Sequence, residues 1–242
     1  MPSPRKQREL EARSELILDV ARKLLLERGF VGLSMDRIAA ATEYSKGTIY
    51  QHFSCKEEVL VALALQTAAR RCALFERAAT YPGRPRERML AMGVAAALFG
   101  ERHPLHFRSE QTVLVTVREK VSADRQTELR GWEARCMGIA CGVVRDGVAC
   151  GDLDLPAGHT AEELAFGLWI MSYGLFAFQA CHRGSASPHL GLSDPLETTR
   201  KNQQLLLDGY GWRPLTSESD YAATRAGVLA HLAAPAEVGT TP

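Results

Sequence analysis

Apolar residues recur along most of the chain at the three- and four-residue spacing of an amphipathic helix. The apolar face of the first such stretch, between Glu9 and Arg28, comprises Leu10, Ile17, Ala21, Leu24 and Leu25. Gly29 follows it as a natural C-terminal stop. No alternating run of β-branched residues bounded by hairpin turns is visible. The pattern therefore predicts an all-α protein.

Three helices are predicted in quick succession near the N-terminus. After the first, Ser34 can cap a short helix through Ala41, and Ser45 can cap another through His52. A longer helix follows toward Thr80, and the segment 81–85 then breaks the pattern with two prolines and a glycine. Further helices are predicted over residues 86–102, 104–119, 122–148, 160–181, 195–209 and 218–233. The chain thus divides into a small N-terminal unit and a longer helical domain.

Charge and composition change this picture only slightly. The 242 residues carry a formal net charge of +1, so total charge gives no argument for nucleic acid. Residues 1–56 hold ten Lys and Arg against seven Asp and Glu. Arg5, Lys6 and Arg8 predict a short basic arm, and a solvated terminus is an equally good interpretation.

The chain carries no recognisable targeting or membrane-spanning segment. No apolar stretch follows the basic N-terminal residues as it would in a signal peptide, and the longest apolar run, 164–178, is too short to span a bilayer. We therefore expect a cytoplasmic protein with no membrane partner, whose six cysteines are reduced. They form no C-x-x-C pair, and no metal or cofactor is predicted.

The second and third predicted helices have the spacing of a helix-turn-helix. The helix Ser45–His52 is short enough to enter the major groove of DNA, with Ile49 and Phe53 directed inward. Its outward or edge positions are Lys46, Thr48, Gln51 and His52. Gly47 would allow close backbone approach, and Tyr50 offers a hydroxyl group for a phosphate. Each residue alone is more often ordinary surface; their joint spacing carries the prediction.

This spacing resembles the TetR family of bacterial transcriptional regulators over about residues 13–60. The first matching segment contains Ile17, Leu18, Ala21, Leu24, Leu25, Glu27, Gly29 and Phe30. The second contains Ser34, Met35, Ile38 and Ala39. The third contains Ser45, Lys46, Gly47, Thr48, Ile49, Tyr50, His52, Phe53, Lys56 and Glu57. The resemblance implies a three-helix DNA-binding domain over residues 1–56, whose first residues are the basic arm.

The resemblance also implies which residues contact DNA. Lys46, Thr48 and Gln51 match positions that touch bases or nearby phosphates, whereas the others match phosphate-binding positions or flank the turn. The full predicted set is Ser34, Arg37, Tyr44, Ser45, Lys46, Thr48, Tyr50, Gln51, His52 and Lys56.

The turn departs from the family pattern. Thr42-Glu43-Tyr44 stands where the family usually has Ala-Gly-Val. If the turn keeps a left-handed residue, Glu43 should cost on the order of 1 kcal/mol; alternatively the turn relaxes and re-aims Ser45 and Lys46. Tyr44 is large for the core and could lie across the rim toward DNA.

Residues 57–233 are expected to form the family's helical ligand-binding and dimerisation domain, followed by a disordered tail over 234–242. Segments 160–181 and 195–209 resemble the two helices that pair across the family's twofold axis. Their apolar residues Leu164, Leu168, Met171, Leu175, Leu205 and Leu206 could equally form core within one protomer.

A pocket for a lipophilic or aromatic effector is expected among the aromatic residues of this domain. The candidates are Phe99, His103, Phe107, Trp132, Met137, Phe166, Trp169 and Tyr173. The same residues could be ordinary core. His103 and His106 could chelate a metal, although Pro104 disturbs their spacing, and Cys136 with Cys141 could sense redox state.

The leading hypothesis is therefore a transcriptional regulator, a homodimeric repressor released from a palindromic operator in double-stranded DNA by a small molecule. The alternative is a helical enzyme or ligand-binding protein whose N-terminal unit is structural. We expect no enzyme, because no nucleophile–base pair, paired carboxylates or metal cluster stands at recognisable spacing, and hence no catalytic residue is predicted.

Overall fold

The structure, a computed structural model, describes residues 3–103, 113, 117, 121–181 and 191–234. Within these ranges it contains nine helices and no strand. In chain order the helices are α1 (Pro4–Gly32), α2 (Met35–Thr42), α3 (Lys46–His52), α4 (Lys56–Ala79), α5 (Pro85–Arg102), α6 (Ala123–Ala149), α7 (Ala161–Cys181), α8 (Pro195–Gly209) and α9 (Tyr221–Ala233). The predicted all-α fold is confirmed.

The first helix differs from its prediction at both ends. It begins at Pro4 because the Ser3 side chain accepts a hydrogen bond from the Lys6 N–H and proline suits the first helical position. The basic residues of the expected arm, Arg5, Lys6 and Arg8, consequently lie in α1 and are exposed. Gly29 takes φ 66°, ψ −177° and breaks the helical conformation, as its predicted stop role requires, but helix resumes as far as Gly32.

The later boundaries depend on local capping. Ser34 and Ser45 cap α2 and α3 as predicted. The last helix begins at Tyr221 rather than residue 218, because the Asp220 carboxylate accepts hydrogen bonds from the N–H groups of Ala222 and Ala223. The predicted helix 104–119, apart from residues 113 and 117, and the predicted tail beyond residue 234 lie outside the described residues.

Two compact units divide the chain within α4. The N-terminal unit comprises the described residues of Met1–Ala69 and Leu105–Trp132. Its core joins α1, α2, α3 and the first half of α4 through fully buried Ile17, Ile38, Ile49, Val59 and Leu60. The expected functional boundary between residues 56 and 57 stays a prediction.

The C-terminal unit comprises the described residues of Arg70–Pro104 and Glu133–Pro242. Its core includes Leu90, Val144, Leu164, Leu207 and Trp212. At its centre the fully buried Arg86 pairs with Asp208 at 2.7 Å. Such a pair is costly to desolvate, so removing one partner would leave an uncompensated buried charge.

One expectation about the cysteines is wrong. Cys72 of α4 and Cys136 of α6, predicted to be reduced thiols, are joined by a disulfide bond. The 64 residues between them hid the pairing from the sequence, because nothing local indicates which helix turns face one another. Cys55, Cys141 and Cys150 are free thiols.

Across the described part of the chain, no helix combines the length and apolar character needed to cross a membrane.

Candidate nucleic-acid interface

A small buried core fixes α2 and α3 against each other. Ile38 and Ala39 of α2 meet Ile49 of α3 within the N-terminal core, and Phe53 closes the end of α3. Thr42, also buried, donates its hydroxyl hydrogen to the Ile38 carbonyl oxygen at 2.8 Å. The inward direction predicted for Ile49 and Phe53 is therefore confirmed, and it leaves the opposite side of α3 free for other contacts.

The turn between these helices keeps the left-handed geometry. Glu43 has φ 58° and ψ 20°, and among described non-glycine residues it is alone in having a positive φ. The Tyr44 N–H donates to the Ala39 carbonyl oxygen at 3.2 Å, which closes the turn. Of the two sequence-based alternatives, the structure shows the strained turn, which costs on the order of 1 kcal/mol, and not the relaxed one.

Tyr44 occupies a position between core and surface. Its ring is half-buried and packs against the N-terminal core. The fold therefore accommodates this residue, which directly precedes the Ser45 cap of α3, and its contact with DNA stays a prediction.

The outer side of α3 carries three exposed side chains, Lys46, Tyr50 and Gln51, which we call the recognition face. Tyr50 is 52% exposed. A β-carbon added at Gly47 would meet only the Ser45 hydroxyl oxygen, at 3.7 Å, so the backbone there is open to an approaching molecule.

Two hydroxyl groups of the predicted set serve the fold itself. The Ser45 Oγ accepts a hydrogen bond from the Thr48 N–H at 3.1 Å and lies 2.9 Å from the Thr48 hydroxyl oxygen. The Ser34 Oγ accepts from the Arg37 N–H at 3.3 Å in the same way. These contacts orient the first turns of α2 and α3 and are compatible with a further hydrogen bond to a phosphate.

Sequence reasoning missed Asp36, which pairs with Lys46 across the turn. The Lys46 Nζ lies 2.8 Å from the Asp36 Oδ1, and both side chains are more than 60% exposed. The hydrogen bond to Asp36, followed by the charge of Asp36, raises the pKa of Lys46 above its ordinary value. Asp36 therefore positions Lys46 and, being anionic, opposes phosphates near it. The sequence feature that could have indicated this pair is the acidic residue, Asp36, in the first turn of α2.

Three other basic residues of the predicted set, Arg37, Lys56 and His52, are influenced by neighbouring groups. Arg37 donates through Nη1 to the Gly32 carbonyl oxygen. The Lys56 Nζ lies 4.3 Å above the Phe30 ring, a cation–π contact at the first residue of α4. His52 is half-buried, and burial first, then the charge of Arg13, lowers the pKa of its imidazole below the ordinary value.

The predicted pocket residues lie in several places. Phe99 is buried with its ring centroid 5.0 Å from that of His103. Met137 is half-buried against the C-terminal core, whereas Trp132 belongs to the N-terminal core. Phe107 lies outside the described residues. That these residues bind an effector stays a prediction.

The remaining three candidates form an aromatic row along α7. Ring centroids are 5.6 Å apart between Phe166 and Trp169, and 5.2 Å apart between Trp169 and Tyr173. Phe166 is 52% exposed and Trp169 42% exposed. Large apolar side chains in this state indicate an interaction surface rather than protomer core.

The leucines expected at the dimer interface differ between the two helices. Leu164, Leu168 and Leu175 are buried within the C-terminal unit, so the intramolecular alternative holds for them. Leu205 of α8 is 65% exposed. Because α7 is apolar on nearly all sides, the sequence could not distinguish its buried side from its exposed one.

Comparisons with known proteins concentrate on the N-terminal region. The family model for bacterial regulatory proteins of the tetR family matches residues 17–63. The chain is 40% identical over 62 residues to the HTH-type transcriptional repressor AcnR of Corynebacterium diphtheriae, an alignment covering 26% of this chain and 33% of that protein. The chain thus spans about a third of the length of this curated relative.

Solved structures match a larger share of this chain than the curated relative does. A transcriptional regulator of the TetR/AcrR family from Thermobifida fusca is 26% identical, with a TM-score of 0.62, covering 82% of this chain and 98% of that one. The transcriptional regulator FadR from Bacillus subtilis, in complex with stearoyl-CoA, is 16% identical, with a TM-score of 0.61, covering 81% and 98%. The second likeness is one of fold.

The matched segment runs from the middle of α1 through α2 and α3 into the start of α4, and it includes the helix-turn-helix and much of its supporting core. This segment is therefore similar to the N-terminal domain of bacterial regulatory proteins of the tetR family.

Proposed function

We propose that the protein is a transcriptional regulator that represses by binding a palindromic operator as a homodimer. The observation that carries this proposal is the recognition face of α3. Lys46, Tyr50 and Gln51 project from a seven-residue helix whose other side is locked into a core. A helix of this size fits the major groove, about 12 Å wide.

The side chains of this face suit two kinds of contact. The Gln51 amide can pair with an adenine edge and the Lys46 ammonium with a guanine edge. The Tyr50 hydroxyl, with Arg37 and Lys56, can hold phosphates, which fix the position of the protein without reading sequence. The repressor AcnR, which this segment resembles, supports the assignment.

We assign the dimer interface to the exposed apolar face formed by Phe166, Trp169, Ile170 and Leu205. Trp169 and Ile170 lie three and four residues after Phe166 along α7, and Leu205 belongs to α8. Gln203 of α8 donates through Nε2 to the Leu168 carbonyl oxygen and to the Ser172 hydroxyl, which holds the two helices together. An isologous pairing of this face would place two recognition faces about a twofold axis.

We further propose that the protein acts in the cytoplasm and dissociates from its operator when it binds a lipophilic effector. The stearoyl-CoA bound to a FadR of the same fold makes a long-chain acyl-CoA a suitable first probe. Here α5 and α7 approach closely at Gly100, where an added β-carbon would lie 2.6 Å from the Phe176 ring, beside Phe99 and His103. Ligand entry there would separate these helices. Operator affinity that is unchanged while stearoyl-CoA is bound would contradict coupling to this probe.

The proposed function is tested by selecting bound sequences from a random pool of duplex DNA. The full-length protein should recover an inverted repeat whose half-sites are about 34–36 Å apart or a multiple of this spacing. A Tyr50→Ala variant is the control, because Tyr50 is exposed and its loss should leave the fold intact. Equal enrichment by both proteins, or none by either, would contradict the assignment.

A further inference from the structure

The disulfide between Cys72 and Cys136 joins α4 to α6 within the C-terminal unit. The two Cα atoms are 5.4 Å apart, which lies within the ordinary range for a disulfide. In compartments kept reducing by thiol pools, disulfides are rare, and those that form are usually transient and sense redox state. A protein that acts on chromosomal DNA works in such a compartment.

An ion pair also links the two helices within one turn of the disulfide in sequence. Glu76 lies one turn after Cys72 on α4, and Arg135 directly precedes Cys136 on α6. The Arg135 Nε donates to the Glu76 Oε1 at 2.9 Å. Because this contact does not depend on the oxidation state of sulfur, we expect the reduced thiols to remain close enough to rejoin.

The two sulfur atoms differ in accessibility. Cys72 is fully buried, whereas Cys136 is half-buried. A small thiol or disulfide from solution therefore reaches Cys136 first, and Cys72 acts on it from inside. The difference in accessibility makes Cys136 the entry cysteine and Cys72 the resolving cysteine, because exchange depends on access to the sulfur.

The pairing suggested by sequence, Cys136 with Cys141, does not occur. Cys141 is a free thiol, five residues further along α6 and buried. Burial raises the pKa of this thiol. Cys150, which is free and exposed, serves as a reference thiol outside the couple.

We propose that Cys72 and Cys136 form a reversible redox site that takes low-molecular-weight disulfides as oxidant and regulates operator binding through α4. The regulatory half rests on the proposed function. Helix α4 begins at Lys56, beside α3 in sequence, and continues into the segment that bears Cys72. A covalent restraint on this helix changes the free energy of any transition that moves it, and thereby the affinity for DNA.

The chemistry is thiol–disulfide exchange in two steps. The Cys136 thiolate attacks one sulfur of oxidised glutathione, breaks its S–S bond and releases one glutathione thiolate. The Cys72 thiolate then attacks the Cys136 sulfur of the mixed disulfide and releases the second. The two leaving thiolates take up the two protons lost by the cysteines. Two protein thiols are thus oxidised while one glutathione disulfide is reduced.

The test equilibrates the full-length protein in buffers with different ratios of reduced to oxidised glutathione. Alkylation and peptide mass spectrometry measure the Cys72–Cys136 linkage, and the same samples are titrated with the operator recovered by selection. The variants are Cys136→Ser, at the more accessible position, and Cys150→Ser as the matched control. Both retain Cys72, so the buried core is undisturbed.

We expect the linkage to form and reverse in the wild-type protein and in Cys150→Ser. Between the most reducing and the most oxidising glutathione buffer, the operator Kd of these two proteins should change by about fivefold or more, which is within the usual span of allosteric coupling. The operator Kd of Cys136→Ser should stay constant. Failure of the linkage to form or reverse would overturn the redox site. A reversible linkage with a constant operator Kd would overturn its regulatory half. Absence of operator binding in every buffer, with a reversible linkage, would instead overturn the proposed function and the regulation together.

Discussion

At the scale of single residues, Glu43 occupies a backbone conformation that favours glycine. Its φ of 58° closes the turn before α3 and costs on the order of 1 kcal/mol in a residue with a β-carbon. Glu43→Gly should therefore raise the free energy of unfolding, by up to about 1 kcal/mol, because glycine also gains entropy in the unfolded chain. Urea denaturation measures the change.

Glu43→Ala separates backbone conformation from charge in this experiment. Alanine keeps the β-carbon and removes the carboxylate, so it should give no comparable stabilisation. Equal stabilisation by alanine and glycine would show that the side-chain charge, and not the left-handed turn, is the source of the cost.

His52 predicts a pH dependence of operator binding. In the free protein, burial and the charge of Arg13 hold its pKa below the ordinary 6.5, so it is neutral at pH 7.5. A phosphate beside it would raise the pKa in the complex. Binding then takes up a proton, and affinity should rise as pH falls through the pKa of the complex and level off below that of the free protein.

The same lowered pKa acts on stability in the opposite direction. The stability contributed by neutral His52 is present above pH 6.5 and is lost as pH falls through the lowered pKa. Operator titrations from pH 8 to pH 5.5 should therefore be accompanied by unfolding measurements. His52→Gln should weaken the pH dependence of both operator affinity and the free energy of unfolding. If its operator affinity varies with pH as that of the wild-type protein does, a phosphate contact at His52 is excluded.

At the scale of elements, the pairing of α2 with α3 controls the charge presented to DNA. The Asp36 Oδ1 lies 2.8 Å from the Lys46 Nζ, so a carboxylate stands beside the recognition face that we propose binds DNA. Asp36→Asn should tighten binding severalfold on any duplex, because it frees a cation and removes an anion. Salt-dependent affinity measurements on operator and on scrambled DNA would detect this as an increase common to both.

A double-mutant cycle tests whether Asp36 acts through Lys46. In a Lys46→Met background, Asp36→Asn should have a distinctly smaller effect. An undiminished effect would mean that Asp36 acts by long-range repulsion alone, and a gain confined to the operator would contradict the electrostatic explanation.

A feature of the helices could be predicted from the sequence when the residues that produce it lie close together along the chain. The starts of α2 and α3 were predictable because Ser34 and Ser45 cap them within three residues. The Asp36–Lys46 pair was not, because it forms only once the two helices cross. The disulfide depends on the packing of α4 and α6 across 64 residues, which hydrophobic spacing does not determine.

At the scale of the whole molecule, a palindromic operator requires a dimer, and the exposed apolar face supplies a surface for one. Trp169→Asp should convert a dimer of 26.5 kDa chains to monomers, because a charge is introduced into the proposed interface. Sedimentation equilibrium measures the mass. Trp169 is 42% exposed, so the change should leave the protomer folded.

Val148→Asp provides the matched control for this change. Val148 is 43% exposed and lies near the end of α6, apart in sequence from the exposed apolar face. This variant should remain a dimer. If both variants dissociate, or if Trp169→Asp remains a dimer, the interface lies elsewhere.

The role of α7 shows where sequence interpretation reached its limit. The sequence pattern predicts an effector pocket among the aromatic residues and a dimer interface that includes the leucines, with ordinary core as the open alternative for both sets. In the structure Leu164, Leu168 and Leu175 of α7 are buried, whereas Phe166 and Trp169 are exposed. Both assignments rested on apolar character, which every side of this helix shares, so only packing could separate them.

The central claim is that α3 reads base sequence, and its most direct test is a comparison of affinities. The wild-type protein and Gln51→Ala are titrated at one salt concentration with the selected operator and with a scrambled duplex. Gln51 is exposed, so its truncation should not disturb the fold. Wild type should bind the operator about 10³-fold or more tightly than scrambled DNA, and Gln51→Ala should lose about 1–3 kcal/mol on the operator alone. Equal losses on both duplexes, or none, would contradict the claim that α3 is the reading helix.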